Sequence, residues 1–450
     1  MTIDAEGLAA HLTDRSTQGI ARDTARLVRT GVLPVGARLP ALRELAFVMG
    51  VSPSTLSEAW KELRRLRVLT GRGRNGTYVS ASNLSPRPLR VSAQGHFSSS
   101  ARNLTLAAPD LSLLPPLEEA LVHGARSEKL NSYERVRILP ELERALRPQW
   151  PFKSASMLAT NGGYNAVYLT LHALVPPGSA VALEMPTSMR LLDILEDLGA
   201  RILPVESDIR GPMPEALQAV LAQKPDAFIF QPIISSVTGQ YLTAQRMSEL
   251  GEILAESETL IIEDDGVGDI AMVPSQSLGD RLPDRVIHIR SFSKSFGPDL
   301  RMAVLSASED LVDRVQSFRA FSAGWTSRIL QSAVAWLLSD DVTRAGIQSA
   351  GEVYRQRRNV LARALRDRGN DVPDGAGLSL YLPVHSETFA LITLAAHGVS
   401  ALPGESFSLG PTGHVRLGTG RLDPAEINEL ADIASLAAAQ PFEIGTGPLT

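Results

Sequence analysis

Lys294 stands in the stretch Ser291-Phe-Ser-Lys-Ser-Phe-Gly-Pro-Asp-Leu-Arg301, directly after the short apolar run Val286-Ile287-His288-Ile289. That run predicts a buried strand ending where the serines begin, with Lys294 on the turn that follows. A lysine on a tight turn at the carboxyl end of a parallel strand reaches the crevice where open α/β sheets bind ligands. Its amine suits Schiff-base chemistry. Ser291, Ser293 and Arg301 add two hydroxyls and a guanidinium fork, donors suited to a phosphate dianion. A second anion cradle is Thr160-Asn161-Gly162-Gly163, where small residues between a strand and a helix from Tyr164 leave backbone N–H groups free. Asp264 and Asp265 arrive together at the end of another apolar run. Each feature alone has an ordinary alternative: a solvated loop lysine, a plain Gly-Gly turn, a pair of acids capping a helix.

These groups need a scaffold to converge, and the chain offers one. Apolar runs at 157–159, 181–185, 201–205, 227–231, 260–264, 286–289 and 302–306 alternate with helical stretches. That order predicts a largely parallel sheet covered on both faces. From about residue 345 the pattern changes to a long helix, a strand at Leu378–Leu382 and a last α/β portion ending near Ala439. Residues 83–103, rich in Ser, Pro and Arg, read as a linker, and the tail from Pro441 as loose chain. The 450 residues, 44% hydrophobic, suffice for two or more domains with large cores. The absence of cysteine excludes disulfides, thiolate metal sites and thiol nucleophiles. No apolar run nears the roughly 18 residues of a membrane span, and the first residues are acidic rather than basic, so a cytoplasmic protein is expected.

Charge is distributed unevenly. Residues 1–82 hold 12 Lys+Arg and 7 Asp+Glu, a net of +5, whereas the remaining chain carries 32 against 42, a net of -10. A basic module joined to an acidic body follows. Within that module Ile20, Thr24, Leu27 and Val28 line one helical face before Gly31, and Leu42, Leu45, Ala46 and Met49 line a second before Gly50. A third helix opens with Ser52 as N-cap and Pro53 at its first position, and buries Leu56, Ala59, Trp60 and Leu63. Its other face carries Ser54, Ser57, Lys61, Arg64 and Arg65. Two helices joined by a glycine turn describe a helix-turn-helix whose second helix enters the major groove. Asn75-Gly76 then marks the tip of a hairpin wing over residues 72–79, with Arg72, Gly73 and Arg74 on it.

The stretches Gly-Ala-Arg-Leu-Pro-Ala-Leu-Arg-Glu-Leu-Ala and Val-Ser-Pro-Ser-Thr-Leu resemble the GntR-type winged helix. The resemblance implies that Arg43, Ser52, Ser54, Ser57 and the wing around Gly73 touch double-stranded DNA; Lys61, Arg72 and Arg74 complete the expected contact set. Pro53 and Arg67 depart from the family pattern, so no operator sequence carries over. The Lys294 segment resembles that of fold-type I pyridoxal phosphate (PLP) enzymes, in the form found in MocR-type regulators of the GntR superfamily. With Gly375-Ala-Gly-Leu-Ser-Leu-Tyr, Leu402-Pro-Gly-Glu-Ser-Phe and Val415-Arg-Leu-Gly, the resemblance runs from about 104 to 439.

It implies a winged helix over 1–82, a linker over 83–103, an α/β aminotransferase-like large domain over 104–344 and a small α/β subdomain over 345–440. It further implies PLP on Lys294, Asp264 at the pyridine nitrogen, and Gly162, Gly163, Ser291, Ser293 and Arg301 at the phosphate. Arg416 would clamp an effector's α-carboxylate, and the effector would be a small amine or amino acid. A head-to-tail homodimer with the site at the subunit junction is implied as well. Three positions break the pattern: an amide becomes Ser236 beside the cofactor's phenolic oxygen, a tyrosine becomes Gly266, and an aromatic near the pyridine ring becomes Ser188. These losses predict a DNA-binding regulator that is a poor transaminase. The alternatives are a working aminotransferase with an accessory DNA-binding domain, and a regulator that has lost PLP and reads another ligand.

Overall fold

Apolar residues at helical spacing gather the first part of the chain into four helices. The computed structural model describes residues 4–29, 31–65, 68–71, 76–80, 90, 102–128 and 130–439. It falls into two units, Met1–Pro88 and Leu89–Thr450. In the first, α1 (Ala5–His11), α2 (Thr17–Arg29), α3 (Leu42–Met49) and α4 (Pro53–Arg65) precede the antiparallel strands β1 (Leu69–Thr70) and β2 (Tyr78–Val79). Leu8, Ile20, Leu45, Leu56, Trp60 and Leu63 form its core. Gly50 ends α3 in the left-handed conformation at φ 66°, where glycine alone avoids a Cβ penalty. Ser52 Oγ accepts from Thr55 N at 3.0 Å, capping α4 one residue before Pro53. The α1 helix lies ahead of the region where sequence periodicity placed helices. The tip of the expected wing, including Arg72, Gly73 and Arg74, lies outside the described residues, as do most of the expected linker and the tail.

The second unit is built on an eight-stranded sheet. Its strands are β4 (Ser156–Thr160), β5 (Ala180–Met185), β6 (Arg201–Asp208), β7 (Gly211–Pro212), β8 (Ala227–Phe230), β9 (Leu260–Asp265), β10 (Val286–Ser291) and β11 (Ala303–Ala307), after a short β3 (Arg102–Asn103) that lies outside it. Their spatial order is β4-β11-β10-β9-β8-β5-β6-β7. Each expected strand run is present, within a few residues at its ends. Six of the eight strands run the same way, as expected of a largely parallel sheet; β11, antiparallel to both neighbours, and β7, antiparallel to β6, are the exceptions that make it mixed. Successive residues serve opposite faces: Ile262 and Ile287 pack under the helices Gly163–Leu174 and Met189–Asp197, and Ile261 and Val286 under Ala244–Ala255. Burial on both faces explains why these strands read as continuous apolar runs.

The long helix Asp341–Arg366 leads into β12 (Ser379–Pro383), β13 (Val399–Ser400), β14 (Leu402–Pro403) and β15 (His414–Gly418), where β15 is central to a three-stranded antiparallel sheet. Leu361, Leu365, Leu380, Leu417 and Leu430 share one core there. β13 pairs in parallel with β3, so residues near 102 belong structurally with this late portion. Among the described residues no helix is long and apolar enough to cross a membrane.

Candidate functional site

Strands β4, β9 and β10 run the same way, with β11 antiparallel between β4 and β10, so their carboxyl ends meet at one edge of the sheet. A cavity of about 400 Å³ opens there. Gly162, Gly163, Ser236, Asp264, Ser291, Ser293, Lys294, Arg301 and Arg416 all line it. Nine positions scattered over 255 residues of sequence, 162 to 416, are thus brought to a single site.

The anion cradle lies where β4 ends. Gly162 has φ 99° and ψ 161° and caps the helix Gly163–Leu174. A Cβ at Gly162 would stand 3.1 Å from Arg301 Nη2, and one at Gly163 would stand 3.0 Å from Ser291 Cβ. Only glycine leaves this space for an anion to meet the helix N-terminus. Ser291 Oγ and Ser293 Oγ are 3.2 Å apart on the facing turn. Arg301 sits in the left-handed region at φ 47° and reaches Asn161 O by a long 3.4 Å contact, leaving most of its donors free for a ligand. A non-glycine residue held at positive φ is strained, and such strain gathers at ligand clamps.

Lys294 Nζ donates to Ala107 O at 2.7 Å. Burial, reinforced by the positive Arg416, Arg190 and Arg421, pushes its amine down to about 8. Asp264 is 6% exposed and accepts no hydrogen bond from the described residues. Burial and the neighbouring Asp265 charge push its carboxyl up to about 7. A buried carboxylate left without a donor is costly unless a ligand supplies one. Its neighbour Asp265 instead accepts from Gly268 N at 2.7 Å, which fits the choice of the first acid of the pair for the ligand. Arg416, in β15, donates to Thr105 O and lies with its guanidinium carbon 4.5 Å from the Phe407 ring centroid. Its Nε is buried with no partner among the described residues. The residues therefore fit PLP: a dianion cradle, a neutralisable amine and an orphaned carboxylate face one volume.

Sequence reasoning missed Tyr164, Arg190, Gln231 and Arg421, which also line the cavity. Tyr164 corrects one expectation. The aromatic counted as lost at Ser188 is matched by a phenol from the adjoining helix, whose Oη lies 2.5 Å from Ser188 Oγ. Arg190 lies over the same ring at 4.9 Å. Gln231 holds the Ser236 N–H on its Oε1 at 2.7 Å, and its Nε2 has no protein partner among the described residues. An amide donor thus remains in the cavity although position 236 is serine. At Gly266 an added Cβ would meet nothing within 4 Å, so the missing tyrosine leaves open space. Tyrosine beside the Gly-Gly turn was the one available signal; the others lie at positions with no local pattern.

In the first unit Arg43, Ser52, Ser54, Ser57 and Lys61 are all exposed. Lys61 Nζ also pairs with Glu58 at 3.3 Å, and Ser52 Oγ meets Ser54 Oγ and Thr55 Oγ1 at 2.7 Å each. Such surface pairing is weak and exchanges readily for phosphate.

Comparison with known proteins gives the same division. Residues 103–433 match the aminotransferase class I and II family, and residues 17–79 match the gntR family of bacterial regulatory proteins. The vitamin B6 salvage pathway transcriptional repressor PtsJ of Salmonella typhimurium is 30% identical over 409 residues, covering 89% of this chain and 93% of the relative. The HTH-type transcriptional regulator TauR of Rhodobacter capsulatus is 27% identical, covering 92% and 94%. Among solved structures, the kynurenine aminotransferase of Pyrococcus horikoshii superposes with a TM-score of 0.68 at 20% identity, covering 76% of this chain and 90% of its own. The alpha-aminoadipate aminotransferase of Thermus thermophilus, solved with N-(5'-phosphopyridoxyl)-L-leucine, gives 0.67 at 22%, covering 76% and 92%. With a gntR-family DNA-binding domain ahead of a PLP-binding aminotransferase class I and II domain, the chain belongs to the MocR-type transcriptional regulators of the GntR superfamily.

Proposed function

We propose that PLP is held through Lys294 and that the loaded cavity reads a small amine or amino acid, whose occupancy alters DNA binding by the winged helix. When bound, the cofactor supplies an electrophilic carbon for a primary amine and an electron sink. The chain's own groups do the rest. Gly162, Gly163, Ser291, Ser293 and Arg301 hold the phosphate, Asp264 keeps a proton on the pyridine nitrogen, and Arg416 orients the effector's carboxylate. Arg43, Ser52, Ser54, Ser57, Lys61 and the wing residues Arg72, Gly73 and Arg74 meet the duplex, and a homodimer in the cytoplasm reads paired half-sites. The observation that carries this reading is the pairing of Lys294, its amine pushed down to about 8, with a buried Asp264 that lacks a protein donor.

A sensor needs only a ligand that binds two conformations unequally, whereas a catalyst needs interactions that strengthen in the transition state. Gly266 removes one donor to the phenolate, which favours the sensor. Tyr164 and Gln231 return an aromatic ring and an amide to the cavity, and they favour the second reading, a working aminotransferase. The test is the visible spectrum of the protein loaded with PLP, before and after borohydride, in wild type and in Lys294→Ala. In wild type alone, borohydride is expected to bleach the visible band and leave the cofactor covalently attached. No band in wild type overturns the cofactor reading. Keto-acid release at ordinary aminotransferase rates, on the order of 1–1000 per second, with no effect on operator binding, overturns the sensor in favour of the enzyme.

A further inference from the structure

Lys294 and Asp264 come from neighbouring strands, and a side chain outside the cavity lining joins the turns beyond those strands. β9 and β10 pair in parallel as far as Arg290 and Asp265. Lys294 lies four residues past that last pair, on a turn that the β9–β10 ladder no longer holds. Asp269 lies four residues past Asp265 on the other strand, in the short 3-10 turn Gly268–Ile270. Its two carboxylate oxygens take different partners. Oδ1 accepts from Arg290 Nε at 2.9 Å and lies 2.6 Å from Arg290 Nη2, while Oδ2 accepts from Ser295 Oγ at 2.8 Å. Arg290 stands just ahead of the lysine turn, and Ser295 directly follows Lys294. One carboxylate on the strand that carries Asp264 thus holds both ends of the turn that carries Lys294.

Asp269 is itself braced. Gly268 N donates to Asp265 Oδ1 at 2.7 Å, and a Cβ at Gly268 would stand 2.4 Å from that same oxygen, so the 3-10 turn closes tightly on the strand end. Ile270 packs with Ala350 and Tyr354 of the long helix Asp341–Arg366, and Arg290 also donates to Gln149 Oε1 at 3.0 Å. Neutralising a buried guanidinium would need only the Arg290 pair. The second oxygen goes instead to a buried neutral hydroxyl beside Lys294, in a charge-assisted bond stronger than a neutral one. The other acceptor near Ser295 Oγ is Phe292 O at 3.3 Å, within the same turn. Among the described residues, the bond to Asp269 is therefore the one that ties the Ser295 side chain to the neighbouring strand's turn.

Resting on the reading that PLP occupies this cavity, we infer that Asp269 and Ser295 are positioning residues, whose mutual hydrogen bond sets where Lys294 stands relative to Asp264. The cofactor's ring is rigid, with its reactive carbon and its nitrogen a fixed distance apart, so the amine and the carboxylate that meet them need a fixed separation as well. A misplacement of even ~1 Å costs on the order of 100-fold in rate. Neither side chain lines the cavity, and both act through the turn.

The experiment follows attachment of PLP to the full-length protein by stopped-flow absorbance, beside equilibrium binding of pyridoxine 5'-phosphate. That probe has the same ring and phosphate with an alcohol in place of the aldehyde, so it forms no bond to lysine. Ser295→Ala is expected to slow attachment by about tenfold or more while affinity for pyridoxine 5'-phosphate stays within about threefold of wild type. Asp269→Asn should slow attachment too, and adding Ser295→Ala to it should cost no more than about threefold further, because the two changes break one shared bond. Unchanged attachment in Ser295→Ala overturns the inference. So do equal losses of attachment and of pyridoxine 5'-phosphate affinity, which a merely loosened fold would give, and so do effects that multiply in the double variant. A wild-type protein that gains no visible band with PLP defeats the underlying cofactor reading and this inference with it, whereas a normal wild-type band with unaffected variants defeats this inference alone.

Discussion

Replacing Gly162 with alanine tests whether the cradle binds phosphate for the stated reason. At φ 99° and ψ 161° the backbone occupies a region essentially closed to residues with a Cβ, and forcing alanine there costs about 1–3 kcal/mol. The new methyl would also stand 3.1 Å from Arg301 Nη2 and 3.3 Å from its Cζ. Among the described residues the Arg301 side chain is anchored only by a 3.4 Å contact to Asn161 O, so it gives way before the backbone does. Losing one charge-assisted bond from that guanidinium is worth about 1.5–3 kcal/mol, or about 10- to 150-fold in PLP affinity. Gly178→Ala separates the two effects, because Gly178 has φ 83° with open space around its Cβ position and lies outside the cavity lining. Both variants should lose stability in urea titration, and only Gly162→Ala should lose PLP affinity by fluorescence titration. Wild-type affinity in Gly162→Ala, or an equal loss in Gly178→Ala, refutes the assignment of this turn to the phosphate.

Lys294 should capture PLP faster as pH rises toward about 8 and level off above it, because burial and three arginines have already lowered its proton affinity. An ordinary lysine would keep gaining about tenfold per pH unit to about pH 10, so stopped-flow absorbance that rises steadily across that range contradicts the depressed value. Arg43→Ala should weaken specific duplex binding by about 1–3 kcal/mol with little change for random DNA, while Lys61→Ala should weaken both and flatten the salt dependence. Gel-shift titrations at several salt concentrations read both, and an Arg43→Ala protein with unchanged specific affinity removes that residue from the interface. Trp60 is fully buried with its indole N–H unpartnered among the described residues, so Trp60→Ala should cost about 3–5 kcal/mol while Trp60→Phe keeps most of the stability; equal losses in urea unfolding would show that ring packing is not what Trp60 contributes.

The parts of this site that were legible in the sequence are those where chemistry and turn coincide locally. Ser291, Ser293, Lys294 and Arg301 lie within eleven residues, and Gly162-Gly163 directly abut a strand and a helix. Arg190, Gln231 and Arg421 carry no such signature, because only the shared edge of β5, β8 and the late portion brings them to the cavity. The direction of β11 was equally invisible. Its five residues are all buried, and so are those of parallel β4 beyond it, so burial pattern alone cannot distinguish an antiparallel insertion from another parallel strand. The α1 helix is seven residues long, with Ala5 and Leu8 as its buried contacts. That is too short for helical periodicity to stand out, and its Asp4 cap, accepting from Gly7 N at 2.8 Å, is the signal that could have found it.

Substitutions in the cavity act on different tasks. The residues proposed to hold a cofactor all line the cavity, whereas the groups proposed to lie beside the ring differ from the family pattern: the aromatic stands at 164 and not 188, the amide at 231 and not 236, and Gly266 leaves open space. The loop that carries Ser236 lines the cavity and is also tied to β12 through its carbonyls. Ser379 Oγ donates to Ser236 O at 2.8 Å and Val237 O at 3.0 Å, and the buried Arg358 reaches Thr238 O at 3.0 Å and Ser379 O at 3.1 Å. A ligand pressing on Ser236 or Val237 therefore pushes through short hydrogen bonds on β12 and on the helix Asp341–Arg366. Packed elements transmit such displacement as a discrete shift rather than absorbing it. Catalysis needs ring electronics tuned at every neighbouring atom, and this cavity leaves one such position open. A sensor makes no such demand on the ring, and a cavity lined by the Gly162-Gly163 turn, Lys294 and Asp264 suits one.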